Sequence, residues 1–124
     1  MNAKPTAYVV EDNPDAYIVF TKALEMAGYD VDGAQDGAVA QQRLTEIVPY
    51  LVLLDLHMPN VTGAMLLSQI RADARLENTR VWLVTADARL AKELSEDVDL
   101  VLLKPISFVQ LNQLAERVIG KPKN

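Results

Sequence analysis

Leu51–Val52–Leu53–Leu54–Asp55 sets four large aliphatic residues in a row and ends them on a carboxylate. An unbroken apolar run of this kind suits a central strand of a parallel sheet, covered by helices on both faces. The arrangement recurs. Ala7–Tyr8–Val9–Val10 runs into Glu11–Asp12, Val81–Trp82–Leu83–Val84 into Thr85, and Leu100–Val101–Leu102–Leu103 into Lys104–Pro105. A weaker segment, Tyr29 to Ala34, has Val31 between polar neighbours and reads as a less buried strand.

Helix-period segments fill the spaces between these runs. Asn13 is a good N-cap and Pro14 suits the first helical position. Ala16, Phe20, Ala23, Leu24 and Ala27 then share one face, and Gly28 is the stop. A second helix is predicted after Asp36, with Ala40, Leu44 and Ile47 on its apolar face and Pro49 beyond its end. A loop with Pro59 and Gly63 leads into a third helix carrying Leu66, Leu67 and Ile70. A fourth carries Leu90, Ala91 and Leu94. The last carries Phe108, Leu111, Ala115 and Val118, with Gly120 as its stop. Five strand–helix units in series imply an α/β fold, a parallel sheet with helices on both faces. The expected organisation is a single domain over residues 1–124, with its core at about 7–119 and a polar tail at 120–124.

Composition narrows the chemistry. Twelve Lys and Arg against 17 Asp and Glu give a net charge of −5, which argues against direct nucleic-acid binding through a basic face. Cysteine is absent, so disulfides, thiolate nucleophiles and Cys-ligated clusters are excluded. The single histidine, His57, rules out a His-rich metal site. No apolar run approaches the roughly 20 residues a bilayer span requires. Met1 to Thr6 shows no secretory pattern, so a cytoplasmic protein is expected.

Sites in parallel α/β sheets form at the carboxyl ends of the strands. Four of the apolar runs end there in Glu11–Asp12, Asp55, Thr85 and Lys104. Three carboxylates, a hydroxyl and an ammonium should therefore converge. Carboxylates so grouped repel each other, so a cation must hold them or one must be protonated. An all-oxygen donor set points to Mg²⁺, with Mn²⁺ possible. Lys104 and Thr85 add a positive charge and a hydrogen-bond donor, which suits an incoming phosphoryl group. A carboxylate such as Asp55 can accept phosphate as an aspartyl-phosphate.

Glu11–Asp12, Asp55 with Leu56–His57–Met58–Pro59 and Gly63, Thr85–Ala86, and Lys104–Pro105 together resemble the signature of response-regulator receiver domains. The resemblance runs from about Ala7 to Val118. It implies a doubly wound, flavodoxin-like sheet of five parallel strands in the order 2-1-3-4-5. It also implies roles: Asp55 as the phosphoacceptor, Asp12 as a direct Mg²⁺ ligand, and Glu11 as an acidic partner acting through water. His57 would contribute its backbone carbonyl to the metal. Thr85 would supply the hydroxyl that moves onto the phosphoryl oxygen, and Lys104 the ammonium that pairs with it. The implied partners are a sensor histidine kinase or phosphotransfer protein and an unidentified downstream protein, with the chain acting as a monomer or weak dimer. One position departs from the family pattern. The residue three before Lys104 is commonly Tyr or Phe and here is Val101, which puts the usual ring-swapping coupling in doubt.

Other readings are weaker. A haloacid-dehalogenase-like phosphatase would place a carboxylate two residues after Asp55, where His57 stands. A flavin carrier would need a phosphate-binding loop after the first strand, where Glu11, Asp12 and Asp15 would repel the phosphate. A receiver-fold binding module working without phosphorylation is the alternative that Val101 leaves open. Of the remaining residues, Trp82 is expected in the core, and so is the stripe of Leu111, Leu114 and Val118. Arg89, Lys92 and Glu93 are expected to be exposed. The His57 side chain is expected to shape water access to an acyl phosphate rather than to take part in its formation.

Overall fold

The structure, a computed structural model, describes residues 3–123. Met1, Asn2 and Asn124 lie outside the described residues, and with them the tips of the N-terminal segment and of the polar tail. Five strands, β1 (Thr6–Val10), β2 (Asp30–Ala34), β3 (Leu51–Leu54), β4 (Arg80–Thr85) and β5 (Leu100–Leu103), form one parallel sheet in the order 2-1-3-4-5. Five helices connect or follow them: α1 (Pro14–Ala27), α2 (Gly37–Arg43), α3 (Gly63–Ala72), α4 (Ala88–Leu94) and α5 (Phe108–Arg117).

Side chains alternate across the pleat, so each strand feeds two apolar layers. Tyr8, Val10, Val52, Leu54, Val81 and Leu83 face α2, α3 and α4 and pack on Ala40, Leu66 and Ile70. Ala7, Val9, Leu51, Leu53, Trp82 and Val84 face α1 and α5 and pack on Phe20, Leu24 and Leu111. Double coverage is why the three middle strands read as unbroken apolar runs. β2, at the edge, is half covered and keeps its polar alternation.

Helix signals act as expected at most ends. Asn13 Oδ1 accepts from the Ala16 amide, and Gly28 closes α1 in the left-handed conformation at φ 112°. There Gly28 N and Tyr29 N reach back to the Glu25 and Leu24 carbonyls. Ser107 and Gln110 form a reciprocal capping box on α5.

Three boundaries differ from the sequence reading. The helix after Asp36 stops at Arg43, and Leu44 is its C-cap; tighter turns then carry the chain to Ile47, which still packs on the core. β2 begins at Asp30 because the Tyr29 ring turns into the core and its hydroxyl donates to the Ala115 carbonyl at 2.8 Å. α5 ends at Arg117 with Val118 as its C-cap.

The tail after α5 is held in place. Tyr50 Oη lies 2.6 and 2.8 Å from the Val118 and Lys121 carbonyl oxygens, either of which can take its one proton, and Arg80 donates to the Lys121 carbonyl at 2.6 Å. The Arg80 guanidinium also lies 4.5 Å from the centre of the Tyr50 ring. Trp82 and Leu111 are buried and Leu114 and Val118 pack against that layer, while Arg89, Lys92 and Glu93 lie on the outer face. Val101 is half-buried against the layer under α4. Among the described residues, no helix is long and apolar enough to cross a membrane.

Candidate functional site

Parallel pairing brings the ends of β1, β3, β4 and β5 to one edge of the sheet. The ladder continues one step past the strands. Asp55 N donates to the Val10 carbonyl at 3.0 Å, and Lys104 N to the Thr85 carbonyl at 2.8 Å. Glu11, Asp12 and Asp55 consequently each offer a carboxylate oxygen within 4.8 Å of the other two. The three carboxylates expected at the strand ends therefore come together, and Lys104 Nζ reaches two of them.

The three carboxylates differ in environment. Glu11 is 1% exposed, and both its oxygens are engaged. Oε1 accepts from Lys104 Nζ at 2.8 Å, and Oε2 from the Asn13 amide at 3.1 Å. Asp12 is exposed. Asp55 is buried, with its Oδ1 3.8 Å from Lys104 Nζ. Burial, and then the neighbouring Glu11 charge, push its pKa from 3.8 up to about 7; Lys104 and the His57 backbone N–H act in the opposite direction. Lys104 therefore sits between two carboxylates and hydrogen-bonds Glu11 rather than Asp55.

The loop after Asp55 is tightly enclosed. Gly63 N donates to the Leu56 carbonyl at 3.0 Å, and a Cβ on Gly63 would run into the Asp55 carbonyl oxygen. Only glycine admits that approach. Thr85 is fully buried at the same edge. Its Oγ1 accepts from the Asp87 amide at 3.1 Å, so the hydroxyl is turned toward the β4–α4 loop. The peptide bond between Lys104 and Pro105 is cis.

The His57 side chain is exposed and does not join the carboxylates. Its Nε2 lies 2.8 Å from Asp87 Oδ2. Asp87 is the residue the sequence reading misses. It caps α4 through Oδ1, which accepts from the Leu90 amide at 2.9 Å. That amide first, and His57 second, hold its carboxyl below the usual range. An Asp just before a helix-period run is the available signal, as an N-cap. Its contact with His57, 30 residues earlier, has none.

The chain belongs to the response regulator receiver domain family, whose model matches residues 7–116. It is 30% identical over 110 residues to the DNA-binding dual master transcriptional regulator RpaA of Synechocystis, covering 86% of this chain and 46% of RpaA. It is 34% identical over 121 residues to the probable methanogenesis regulatory protein FilR2 of Methanothrix harundinacea, covering 89% and 78%. The chain thus spans about half the length of RpaA and most of that of FilR2. Among solved structures it resembles the receiver domain of sensor histidine kinase PA1611 from Pseudomonas aeruginosa, with a TM-score of 0.84, 26% identity, and coverage of 96% of this chain and 100% of that one. That structure has a magnesium ion coordinated in its active site cleft.

Proposed function

We propose that the chain is a phosphorylatable switch in which Asp55 takes a phosphoryl group from the phosphohistidine of a sensor kinase or phosphotransfer protein. The observation that carries this reading is the setting of Asp55, a buried carboxylate crowded by Glu11 and flanked by the Lys104 ammonium. In the step, an Asp55 carboxylate oxygen attacks phosphorus, and the bond between phosphorus and the donor's imidazole nitrogen breaks. The electron pair leaves with the imidazole, and an acyl phosphate remains on Asp55. In this reading Lys104 pairs with the phosphoryl oxygens, which its position 3.8 Å from Asp55 Oδ1 supports, and Thr85 donates to one of them after its hydroxyl turns.

The donor set fits a hard divalent cation. It consists of carboxylate oxygens within 4.8 Å of one another. Asp12 and Asp55 would hold the ion directly, with the His57 backbone carbonyl as a further ligand. Glu11, whose two oxygens are already engaged, would act through water. A bound Mg²⁺ supplies positive charge against the phosphoryl oxygens. A groove of about 530 Å³ opens beside Lys104, lined by Ala16, Val19, Phe20 and Ile106, and gives a donor protein an apolar place to sit. The output is a change in protein contacts, in the cytoplasm, without metabolic turnover.

Intact mass after treatment with Mg²⁺ and acetyl phosphate tests the reading. One phosphate adduct is expected, lost in Asp55→Asn and lost when the metal is chelated. A protein that takes no phosphate, or takes it equally in Asp55→Asn, would overturn it.

A further inference from the structure

The amino edge of the sheet, opposite the carboxylates, carries a guanidinium that the fold does not neutralise. Arg80 opens β4 and is buried, at 5% exposure. Among the described residues it makes no ion pair, and its side chain makes one hydrogen bond, from Nη2 to the Lys121 carbonyl at 2.6 Å. The Tyr50 ring covers one face, with its centre 4.5 Å from Cζ. A guanidinium has five N–H donors, and a buried charge without a counter-ion is costly.

Arg80 also lines a cavity of about 260 Å³ between the start of β4, the start of β5 and the tail after α5. Lys121 and Lys123 bring two more cations to its wall, while Trp82, Leu100 and Pro122 make it apolar elsewhere. Among the described residues of that wall, Asp99 is the one carboxylate, and it is already committed. Its Oδ2 accepts from Arg71 at 3.0 Å and from the Val81 amide at 2.7 Å, and its Oδ1 lies 3.7 Å from Lys123 Nζ. Three cations thus surround the cavity against one carboxylate that Arg71 shares. In a chain of net charge −5, this local surplus of positive charge runs against the overall balance. The volume lies just below the range usual for drug-sized ligands, so an occupant is small, about one ring with an anionic group.

We propose that this cavity binds a small organic oxyanion, a carboxylate or phosphate group on a compact apolar body. Arg80 grips the anionic group through N–H donors that the protein leaves uncommitted, because a planar guanidinium meets carboxylate or phosphate oxygens in pairs. Lys121 at the exposed rim and Lys123 add charge, and Trp82, Leu100 and Pro122 receive the body. The bound anion would join β4 to the tail, since Arg80 belongs to one and Lys121 to the other. The site lies at the opposite edge of the sheet from Asp55 and does not depend on the phosphoacceptor reading.

Titration with benzoate and with phenyl phosphate, followed in the proton–nitrogen correlation spectrum of the protein in chelator, tests the site. Saturable shifts are expected at the Arg80 Nε–H, the Trp82 indole N–H and the Lys121 amide, with the amides of Asp12 and Asp55 unmoved. A response to benzoate alone identifies a carboxylate ligand, to phenyl phosphate alone a phosphoryl one, and to both a site that takes either group; each supports the proposal. Benzamide, which keeps the ring and loses the charge, should bind about tenfold more weakly than the anions. Lys121→Ala changes an exposed side chain, keeps the main-chain carbonyl that Arg80 uses, and should weaken binding about two- to fivefold. Arg80→Gln should abolish the shifts at Trp82 and Lys121; if that variant does not fold, Lys121→Ala and benzamide still decide the matter. No shift with either anion, shifts centred on Asp12 and Asp55, benzamide binding as well as the anions, or wild-type affinity in Lys121→Ala would overturn the proposal.

Discussion

Replacing Asp55 with asparagine takes a charge out of a place that resists holding one. Asp55 ionises near 7 in the folded chain, against 3.8 for the free side chain, chiefly through burial and then the Glu11 charge. The folded state therefore binds the proton more tightly than the unfolded state. Stability from this group is present below the unfolded value, falls as pH rises through the interval from 3.8 to about 7, and stays low above it. That gap sets a ceiling of roughly 4 kcal/mol for the penalty at alkaline pH. Water entry and rearrangement of Lys104 between its two carboxylates reduce it, and about 1–2 kcal/mol is the expected size. The asparagine side chain would retain an oxygen for the His57 N–H, and Glu11 would keep its 2.8 Å bond to Lys104. Asp55→Asn should thus be more stable than wild type by about 1–2 kcal/mol near pH 8 in chelator, with the difference vanishing toward about pH 4. Urea unfolding followed by the fluorescence of Trp82, the chain's one tryptophan, measures both proteins across the range. Mg²⁺ should narrow the gap by stabilising wild type more than the variant. A wild type as stable as Asp55→Asn in chelator at the higher pH, or a gap that does not change with pH, would refute the reasoning.

Three further outcomes are expected. Lys104→Met leaves Glu11, at 1% exposure, with the Asn13 amide as its remaining partner, and should cost about 2–3 kcal/mol in urea unfolding and slow phosphorylation by acetyl phosphate. His57→Ala should still be phosphorylated, but the adduct should decay faster than in wild type, as followed by intact mass over time; loss of phosphorylation would count against assigning only the backbone carbonyl of His57 to the site. Gly63→Ala would drive a Cβ into the Asp55 carbonyl oxygen, so the loop must shift, and both the melting temperature and the phosphorylation rate should fall.

The strands are legible in the sequence because the sheet is covered twice. Leu51–Leu54 and Val81–Val84 face helices on both sides, so every residue of each run is apolar, and the first polar residue marks the strand end. Parallel pairing then converts four such ends into one cluster, which is why Glu11, Asp12, Asp55, Thr85 and Lys104 can be grouped from sequence alone. Contacts between distant side chains leave no comparable trace. Asp87 reads as a helix cap, and nothing in its neighbourhood announces His57. Tyr50 and Arg80 look like ordinary strand-entry residues, yet they hold the tail at Lys121, 71 and 41 residues away. The second helix reads too long because Ile47 keeps its place in the core after the helical hydrogen bonds have ended. Lys104 falls in the right group, but its preference for Glu11 over Asp55 depends on 2.8 against 3.8 Å, a distinction of side-chain placement alone.

Whether Asp55 itself carries the phosphoryl group can be read directly from the covalent product. Borohydride reduction of the protein phosphorylated with acetyl phosphate and Mg²⁺ converts an aspartyl phosphate to homoserine, and peptide mass spectrometry locates the change. Homoserine is expected at position 55 alone, and absent when the metal is chelated. Reduction at Asp12, or at no position while phosphate is bound elsewhere, would contradict the assignment.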